Sequence, residues 1–187
     1  SDVYKRQVYI VRYAVLDWGP TLLGEWKGVS IHHAGWMVAA FEISGIVGML
    51  VAGWATDRFF GGRGPRVCVI CMALATVFVA LFWGISQPPM WLATLLLGAA
   101  GFCIYGPQAL VGIAAANIAT KKAAATAVGF TGLFGYASTL VSGWGLGLLA
   151  QHYGWNIAVG ALILIAIMGT LIFMAAWSAK ANGYDND

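Results

Sequence analysis

Charged side chains are rare within the long apolar stretches of this chain, and this limits the folds open to it. Of its 187 residues, 60% are hydrophobic and 9% are charged, whereas soluble domains carry about 25% charged residues. A water-soluble fold could not cover its surface with so few charges. The apolar stretches are continuous and long enough for helices that cross a bilayer, whereas barrel strands would alternate over about ten residues. We therefore expect an all-α, polytopic membrane protein.

Short polar stretches divide the chain into apolar spans, of which we count six. They are predicted at residues 8–23, 34–56, 67–86, 90–118, 123–150 and 156–177. Ser30 is a candidate N-cap for the second helix because its hydroxyl can accept from a free backbone N–H.

The two ends of the chain differ from the apolar body. Residues 1–7 read SDVYKRQ and are polar and abrupt, so we expect a non-native leader and exclude it from the fold. The chain would then begin within a helix of a longer protein. The six-helix domain is assigned to residues 8–178, and residues 179–187 form a polar tail.

Lysine and arginine predict the orientation of the spans. One set of connections and the tail carry Arg58, Arg63, Arg66, Lys121, Lys122 and Lys180. The alternate connections carry Lys27 alone. Cytoplasmic loops are enriched in these residues, so the first set is predicted to be cytoplasmic. Both termini of the six-span segment then lie in the cytoplasm, which agrees with an even number of spans, because such a segment has both termini on the same side.

Small residues recur every four positions in two spans and predict close helix packing. The second span carries Ala40, Ser44, Gly48 and Ala52, and the fifth carries Thr131, Gly135, Thr139, Gly143 and Gly147. Small residues at this spacing let helix backbones approach closely. Tight packing is the favoured interpretation of both stripes.

Arg12 is the most informative residue, because it lies within an apolar, aromatic stretch. A charged side chain at membrane depth costs between roughly 2.5 and 17 kcal/mol, so such residues usually serve a function. A guanidinium offers a fork of donors to phosphate or carboxylate, and Tyr9 shares its helix face at a spacing of three. The alternative is that Arg12 extends to the interface without binding anything. The binding interpretation is favoured.

Other polar residues inside the spans allow two interpretations each. Glu42 is either an ion-pair partner or proton site, or a structural contact between helices. Tyr105 and Tyr136 need hydrogen-bond partners, which are either neighbouring helices or a substrate. Asp17 lies near Pro20 and the predicted outer interface, where a solvated role is favoured.

Several function classes find no support in the sequence. The net charge of +3 is too small to indicate nucleic-acid binding. Cys68 and Cys71 have no second cysteine pair to complete a zinc site and are expected to be core residues. His32 and His33 are expected to be solvated. No catalytic constellation, nucleotide motif or metal cluster is evident, so we expect neither an enzyme nor a cofactor.

Five segments together resemble a known family. They are VYIVRYAVLDWGP, FEISGIVG, GWATDRFFGGRGPR, GFCIYGPQALVGIAA and KKAAATAVGFTGLFGY. They are similar to the organophosphate:phosphate antiporters of the major facilitator superfamily, which include bacterial glycerol-3-phosphate and hexose-phosphate transporters. The resemblance covers essentially everything after Gln7 and matches the C-terminal six of twelve helices. It implies that an N-terminal six-helix half is missing here.

The resemblance implies roles for particular residues. Arg12 corresponds to one of two arginines, one per half, that bind the phosphate group. Tyr9, Tyr105 and Tyr136 match tyrosines of the central cavity, and Glu42 matches an acid of the cavity region in the glycerol-phosphate branch. Asp57, Arg58, Arg63 and Arg66 match a cytoplasmic loop that latches helices in this superfamily.

The resemblance also implies an activity. The expected function is exchange of an organophosphate, with glycerol-3-phosphate as the first choice, for inorganic phosphate across a bacterial inner membrane. A hexose-phosphate or phosphoglycerate antiporter and a transport-like membrane sensor of hexose phosphate are the alternatives. The expected partners are the two phosphate ligands, the lipid bilayer and the missing half. The complete protein is expected to be monomeric.

Overall fold

Six α-helices account for the fold over the described part of the chain, where no strand occurs. The computed structural model describes residues 2–118, 124–175 and 177; inside the helices, the side chains of residues 2–9, 11, 15–16, 26, 115–118, 124, 127–128, 130–131 and 134–142 lie outside the description. The helices are α1 (Asp2–Lys27), α2 (Ile31–Phe60), α3 (Gly64–Gly84), α4 (Met90–Ile118), α5 (Ala124–Tyr153) and α6 (Trp155–Ala175). The all-α prediction is confirmed.

Four of the described helices are long and apolar enough to cross a membrane. They are α2, α3, α6 and the Met90–Ala114 part of α4. Large apolar side chains lie exposed along their outer faces, among them Leu50, Trp54 and Leu164. Such surfaces suit contact with lipid tails. The chain is therefore a multi-pass membrane protein.

Some helices begin earlier or end later than the spans predicted from hydropathy. Helix α1 begins at Asp2, so residues 2–7, predicted to be a leader outside the fold, are helical. The connection between the second and third spans, predicted over residues 57–66, is shorter in the structure, because α2 ends at Phe60 and α3 begins at Gly64. Backbone hydrogen bonds of a helix are local, so they continue past the point where side chains become polar. Lys121, Lys122 and the tail lie outside the described residues.

Ser30 occupies the N-cap position of α2, as predicted. Its hydroxyl pairs with Nδ1 of His33 at 2.7 Å and makes no hydrogen bond to the helix backbone. The rings of His32 and His33 are exposed, as expected.

Glycine brings α2 and α4 together along the largest interface of the described bundle. A Cβ atom built at Gly48 would collide with the backbone of Phe102, and one at Gly101 would collide with the backbone of Phe41. Neither position can carry a side chain without separating the helices. The two helices therefore form one closely packed unit, which we call the α2–α4 unit.

The predicted small-residue stripe of α2 forms part of this interface. Gly48 and Ala52 are buried, whereas Ala40 is half-buried. Ser44 donates a hydrogen bond to the backbone carbonyl of Gly98 on α4 at 2.7 Å. The stripe thus combines close approach with one polar contact across the helices.

Helix α1 packs against α5 and α6 and makes polar contacts with both. The Trp18 indole donates to the carbonyl of Gly143 on α5 at 3.0 Å, and a Cβ at Gly147 would lie 2.7 Å from the Trp18 ring. On α6, the Trp155 indole donates to the carboxylate of Glu25 at 2.9 Å. The remaining members of the α5 stripe, Thr131, Gly135 and Thr139, have side chains outside the description.

Candidate functional site

The Arg12 side chain ends inside the bundle and does not extend to a helix end. With a rise of 1.5 Å per residue, Arg12 lies about 22 Å along α1 from Lys27. Its partners on neighbouring helices are also internal: Glu42 lies about 17 Å along α2 from Ile31, and Gln108 about 15 Å along α4 from Ile118. The Arg12 side chain is 18% exposed. This placement favours a role within the bundle over extension to the interface.

Residues from three helices surround the Arg12 guanidinium. Nη1 donates a hydrogen bond to Oε1 of Gln108 at 3.0 Å. Nη2 lies 3.6 Å from Oε2 of Glu42, which is an ion pair but too long for a strong hydrogen bond. The guanidinium carbon lies 4.2 Å from the centre of the Tyr105 ring and 5.3 Å from that of Tyr13. Both rings lie within the range of cation–π attraction.

Three buried polar atoms at this point make no hydrogen bond within the described structure. They are Nε of Arg12, the hydroxyl of Tyr105 and Oε1 of Glu42. Leaving a buried donor or acceptor unpaired costs about 1–3 kcal/mol, and more when the group is charged. Two of the three atoms, Nε of Arg12 and the hydroxyl of Tyr105, are hydrogen-bond donors at or beside the positively charged guanidinium. The arrangement is therefore suited to an anion with several acceptor oxygens.

A glycine gap fixes the Tyr105 ring in its place over Arg12. A Cβ built at Gly45 would lie 2.5 Å from Cδ2 of Tyr105, so the ring occupies the space that a side chain there would take. Phe41 contacts the same ring edge to face, with centroids 6.1 Å apart. Packing on α2 thus sets the position of an aromatic group that carries a potential ligand contact.

The structure brings Arg12, Glu42 and Tyr105 together, out of the residues proposed from the sequence. Tyr9 lies in α1 and Tyr136 in α5, and the side chains of both lie outside the description. Their assignment to the site therefore stays a prediction.

Gln108 was missed by the sequence analysis, although it makes the shortest hydrogen bond to Arg12 in the described structure. It directly follows Gly106 and Pro107 inside an apolar helix. Glycine and proline there predict a bend in the helix and give no indication of a polar contact. A polar residue within an apolar span was the signal that could have found it.

The residues of the predicted latch lie where α2 meets α3. Asp57 and Arg58 are exposed in the last turn of α2, and Arg63 is the N-cap residue of α3. Arg66 stands in the first turn of α3, with its guanidinium carbon 5.5 Å from the centre of the Trp177 ring. These residues share one end of the bundle, far along the helices from Arg12. A latch function stays a prediction.

The cysteines lie in the core, as expected. Cys68 and Cys103 are buried and Cys71 is partly buried, and all three are free thiols. Across the described residues, no group of three or more His, Cys, Asp or Glu side chains is placed to hold a metal ion.

Fold and site together define a class of protein: a multi-pass helical membrane protein with a partly buried arginine between its helices. The sequence model of the Major Facilitator Superfamily matches residues 9–183. The chain belongs to this superfamily.

Three relatives show the range of its similarity. It is 39% identical over 173 residues to the "Probable hexose phosphate transport protein" of Chlamydia pneumoniae, covering 92% of this chain and 38% of the relative. It is 35% identical over 194 residues to the "Glycerol-3-phosphate transporter" of Haemophilus influenzae, with shares of 93% and 40%. It is 34% identical over 175 residues to "Membrane sensor protein UhpC" of Salmonella typhimurium, with shares of 93% and 39%.

The chain thus spans about two fifths of the length of the curated relatives it matches. The resemblance to the organophosphate antiporter family, which the sequence motifs predicted, is confirmed by these relatives.

Proposed function

We propose that this chain is the C-terminal half of a secondary transporter that exchanges an organophosphate for inorganic phosphate. The observation that carries the proposal is Arg12, held inside the bundle with an unpaired Nε and an unpaired tyrosine hydroxyl beside it. Phosphate offers several acceptor oxygens in a geometry that a guanidinium matches with two parallel hydrogen bonds. A charged side chain inside a helix bundle of the inner membrane is useful when the anion that it binds passes through the bundle.

A second six-helix half completes this site in the proposal. Transporters of this kind bind substrate near the membrane midplane between two repeats, and alternating access arises when the repeats rock about it. Arg12 and Tyr105 supply one side of the phosphate site, and an N-terminal half supplies the other. Both termini of the segment described here lie in the cytoplasm, according to the distribution of lysine and arginine. The complete protein functions as a monomer in a bacterial inner membrane.

The names of the relatives support a phosphate ester as the substrate, and glycerol-3-phosphate remains our first choice from the sequence motifs. The relatives named as hexose phosphate transport proteins are 39–41% identical to this chain, and those named as glycerol-3-phosphate transporters are 35–36% identical. Hexose phosphate is therefore the second substrate to test, and phosphoglycerate the third. Arg12 recognises the phosphoryl group that all three share.

A membrane sensor is the second candidate function. Two relatives named as membrane sensors are 34% and 35% identical to this chain, which is close to the identity with the glycerol-3-phosphate transporters. The Arg12 site suits a receptor and a transporter equally, because both bind a phosphate ester. Exchange activity separates the two. We expect no enzymatic reaction in either case, since the relatives are named as transporters or sensors.

The test is exchange by the full-length protein in proteoliposomes loaded with labelled phosphate. We expect efflux when glycerol-3-phosphate, glucose-6-phosphate or 3-phosphoglycerate is added outside, and the effective ester names the substrate. Saturable binding without efflux would favour the sensor. Absence of both with all three esters would refute the proposal.

The residue-level test is Arg12→Lys. Lysine keeps the charge but loses the fork of donors, so we expect at least a tenfold loss of exchange. Arg58→Lys is the matched control, because Arg58 is exposed at a helix end and lysine keeps its charge. Exchange at the wild-type rate in Arg12→Lys would contradict the assigned role.

A further inference from the structure

Glu42 places a negatively charged carboxylate oxygen at the candidate anion site, which is unexpected because like charges repel. Oε2 of Glu42 pairs with Arg12, whereas Oε1 is buried and accepts no hydrogen bond from the described residues. A carboxylate can accept hydrogen bonds but has no proton to donate. An anion that brings acceptor oxygens alone would therefore meet repulsion at Oε1.

Among the described residues, Arg12 on α1 and Tyr105 on α4 lie beside this carboxylate. The neutral amide of Gln108 on α4 contacts Arg12. Helix α3 also packs on α2, and within the described residues it contributes no ion pair or hydrogen bond to Glu42. One cation and one carboxylate thus face each other, and the described site has little net positive charge to offer a dianion.

We infer that Glu42 makes the site selective for the singly protonated form of the phosphoryl group. The P–OH of the ligand donates to Oε1 of Glu42, while its unprotonated oxygens accept from Nε of Arg12 and the hydroxyl of Tyr105. Each of the three unpaired atoms then has a partner of the right kind. This inference rests on the proposed function and names the protonation state of its substrate.

The distance between Arg12 and Glu42 is compatible with this arrangement. Nη2 and Oε2 are 3.6 Å apart, so their charges attract but no short hydrogen bond holds them together. A hydroxyl oxygen can accept from an arginine and donate to a carboxylate at the same time. The proton stays on the ligand throughout, and no covalent bond forms or breaks.

The test compares a phosphate ester with a sulfate ester of the same alcohol, bound to the full-length transporter at pH 5.5 and 7.5. The second pKa of a phosphate ester is about 6, so its monoanion becomes roughly 25-fold scarcer between these values. We expect the dissociation constant for total phosphate ester to rise about 20-fold with pH. The sulfate ester is a monoanion without a proton to donate, and we expect weak binding that does not change with pH.

Glu42→Gln changes the acceptor into a group that can also donate. We expect its phosphate-ester binding to change less than threefold between the two pH values and its sulfate-ester binding to strengthen at least fivefold. Glu25→Gln is the matched control, since Glu25 is exposed at the end of α1 and contacts Trp155. It should keep the wild-type pH dependence.

Two results would overturn the inference. Sulfate-ester binding that strengthens at pH 5.5 in parallel with phosphate-ester binding would place the proton on the protein. Phosphate-ester binding that depends on Arg12 but not on pH would show that the site does not select the singly protonated phosphoryl group. The proposed function would still stand. A protein that binds neither ester at either pH would instead contradict the proposed function itself.

Discussion

Gly48→Ala tests whether the close α2–α4 packing holds the fold together. A Cβ at this position would collide with the Phe102 backbone, so the added methyl group forces the helices apart. Gly53→Ala is the matched control on the same helix, because a Cβ there meets nothing within 4 Å. Both changes replace glycine with alanine inside α2, so they differ only in what the methyl group contacts.

The expected magnitudes follow from two opposing effects. Alanine in place of glycine stabilises a helix interior by about 1 kcal/mol, and both variants gain this. Overpacking costs typically about 1–3 kcal/mol, and only Gly48→Ala incurs it. We therefore expect Gly48→Ala to be less stable than Gly53→Ala by about 1–3 kcal/mol. For 150–250 residues this corresponds to a difference in Tm of roughly 2–12 °C.

Thermal unfolding in detergent micelles, followed by circular dichroism, measures the difference in Tm. Both variants are measured in the same detergent, so the comparison is made under identical conditions. A Gly48→Ala variant as stable as Gly53→Ala, or more stable, would refute the argument that glycine is required at the α2–α4 interface.

Three further changes test the site and its support. Gln108→Ala removes the hydrogen bond to Arg12; a bond to a charged group contributes about 1.5–3 kcal/mol, so calorimetric titration should show phosphate binding weakened roughly 10- to 160-fold. Gly45→Ala displaces the Tyr105 ring from Arg12, and the same titration should show weaker binding while circular dichroism shows unchanged helix content. Trp155→Phe removes an exposed hydrogen bond to Glu25 and should lower Tm by less than about 6 °C, because such bonds contribute roughly 0.5–1.5 kcal/mol and each kcal/mol shifts Tm by roughly 2–4 °C.

The helix positions were predictable because lipid demands continuous apolar stretches. The predicted span at residues 90–118 coincides with α4 (Met90–Ile118). Helix ends were less predictable, as the connection between α2 and α3 shows. Hydropathy marks where side chains become polar, but the backbone turns at Gly61 and Gly62, whose positive φ angles of 55° and 75° stop the helix.

The residue types of the site were predictable, but their contacts were not. Arg12, Glu42 and Tyr105 stand out as polar groups in apolar helices. In a soluble helix the apolar stripe would also show which side faces the core. In a membrane helix the lipid-facing side is apolar too, so the sequence gives no rotation about the helix axis. The contact of Arg12 with Gln108 depends on that rotation and emerged from the structure.

The close packing of α2 and α4 determines which helix movement can be measured at the Arg12 site. Glu42 sits on one member of the pair, and Tyr105 and Gln108 on the other, so the fixed spacing of the helices makes these groups a rigid reference frame. Arg12 belongs to a different helix. A displacement of α1 therefore changes the position of the Arg12 guanidinium relative to Glu42, Tyr105 and Gln108. The distance between spin labels on α1 and α4 would report this displacement. The distance between a pair on α2 and α4 should stay constant and would serve as the control.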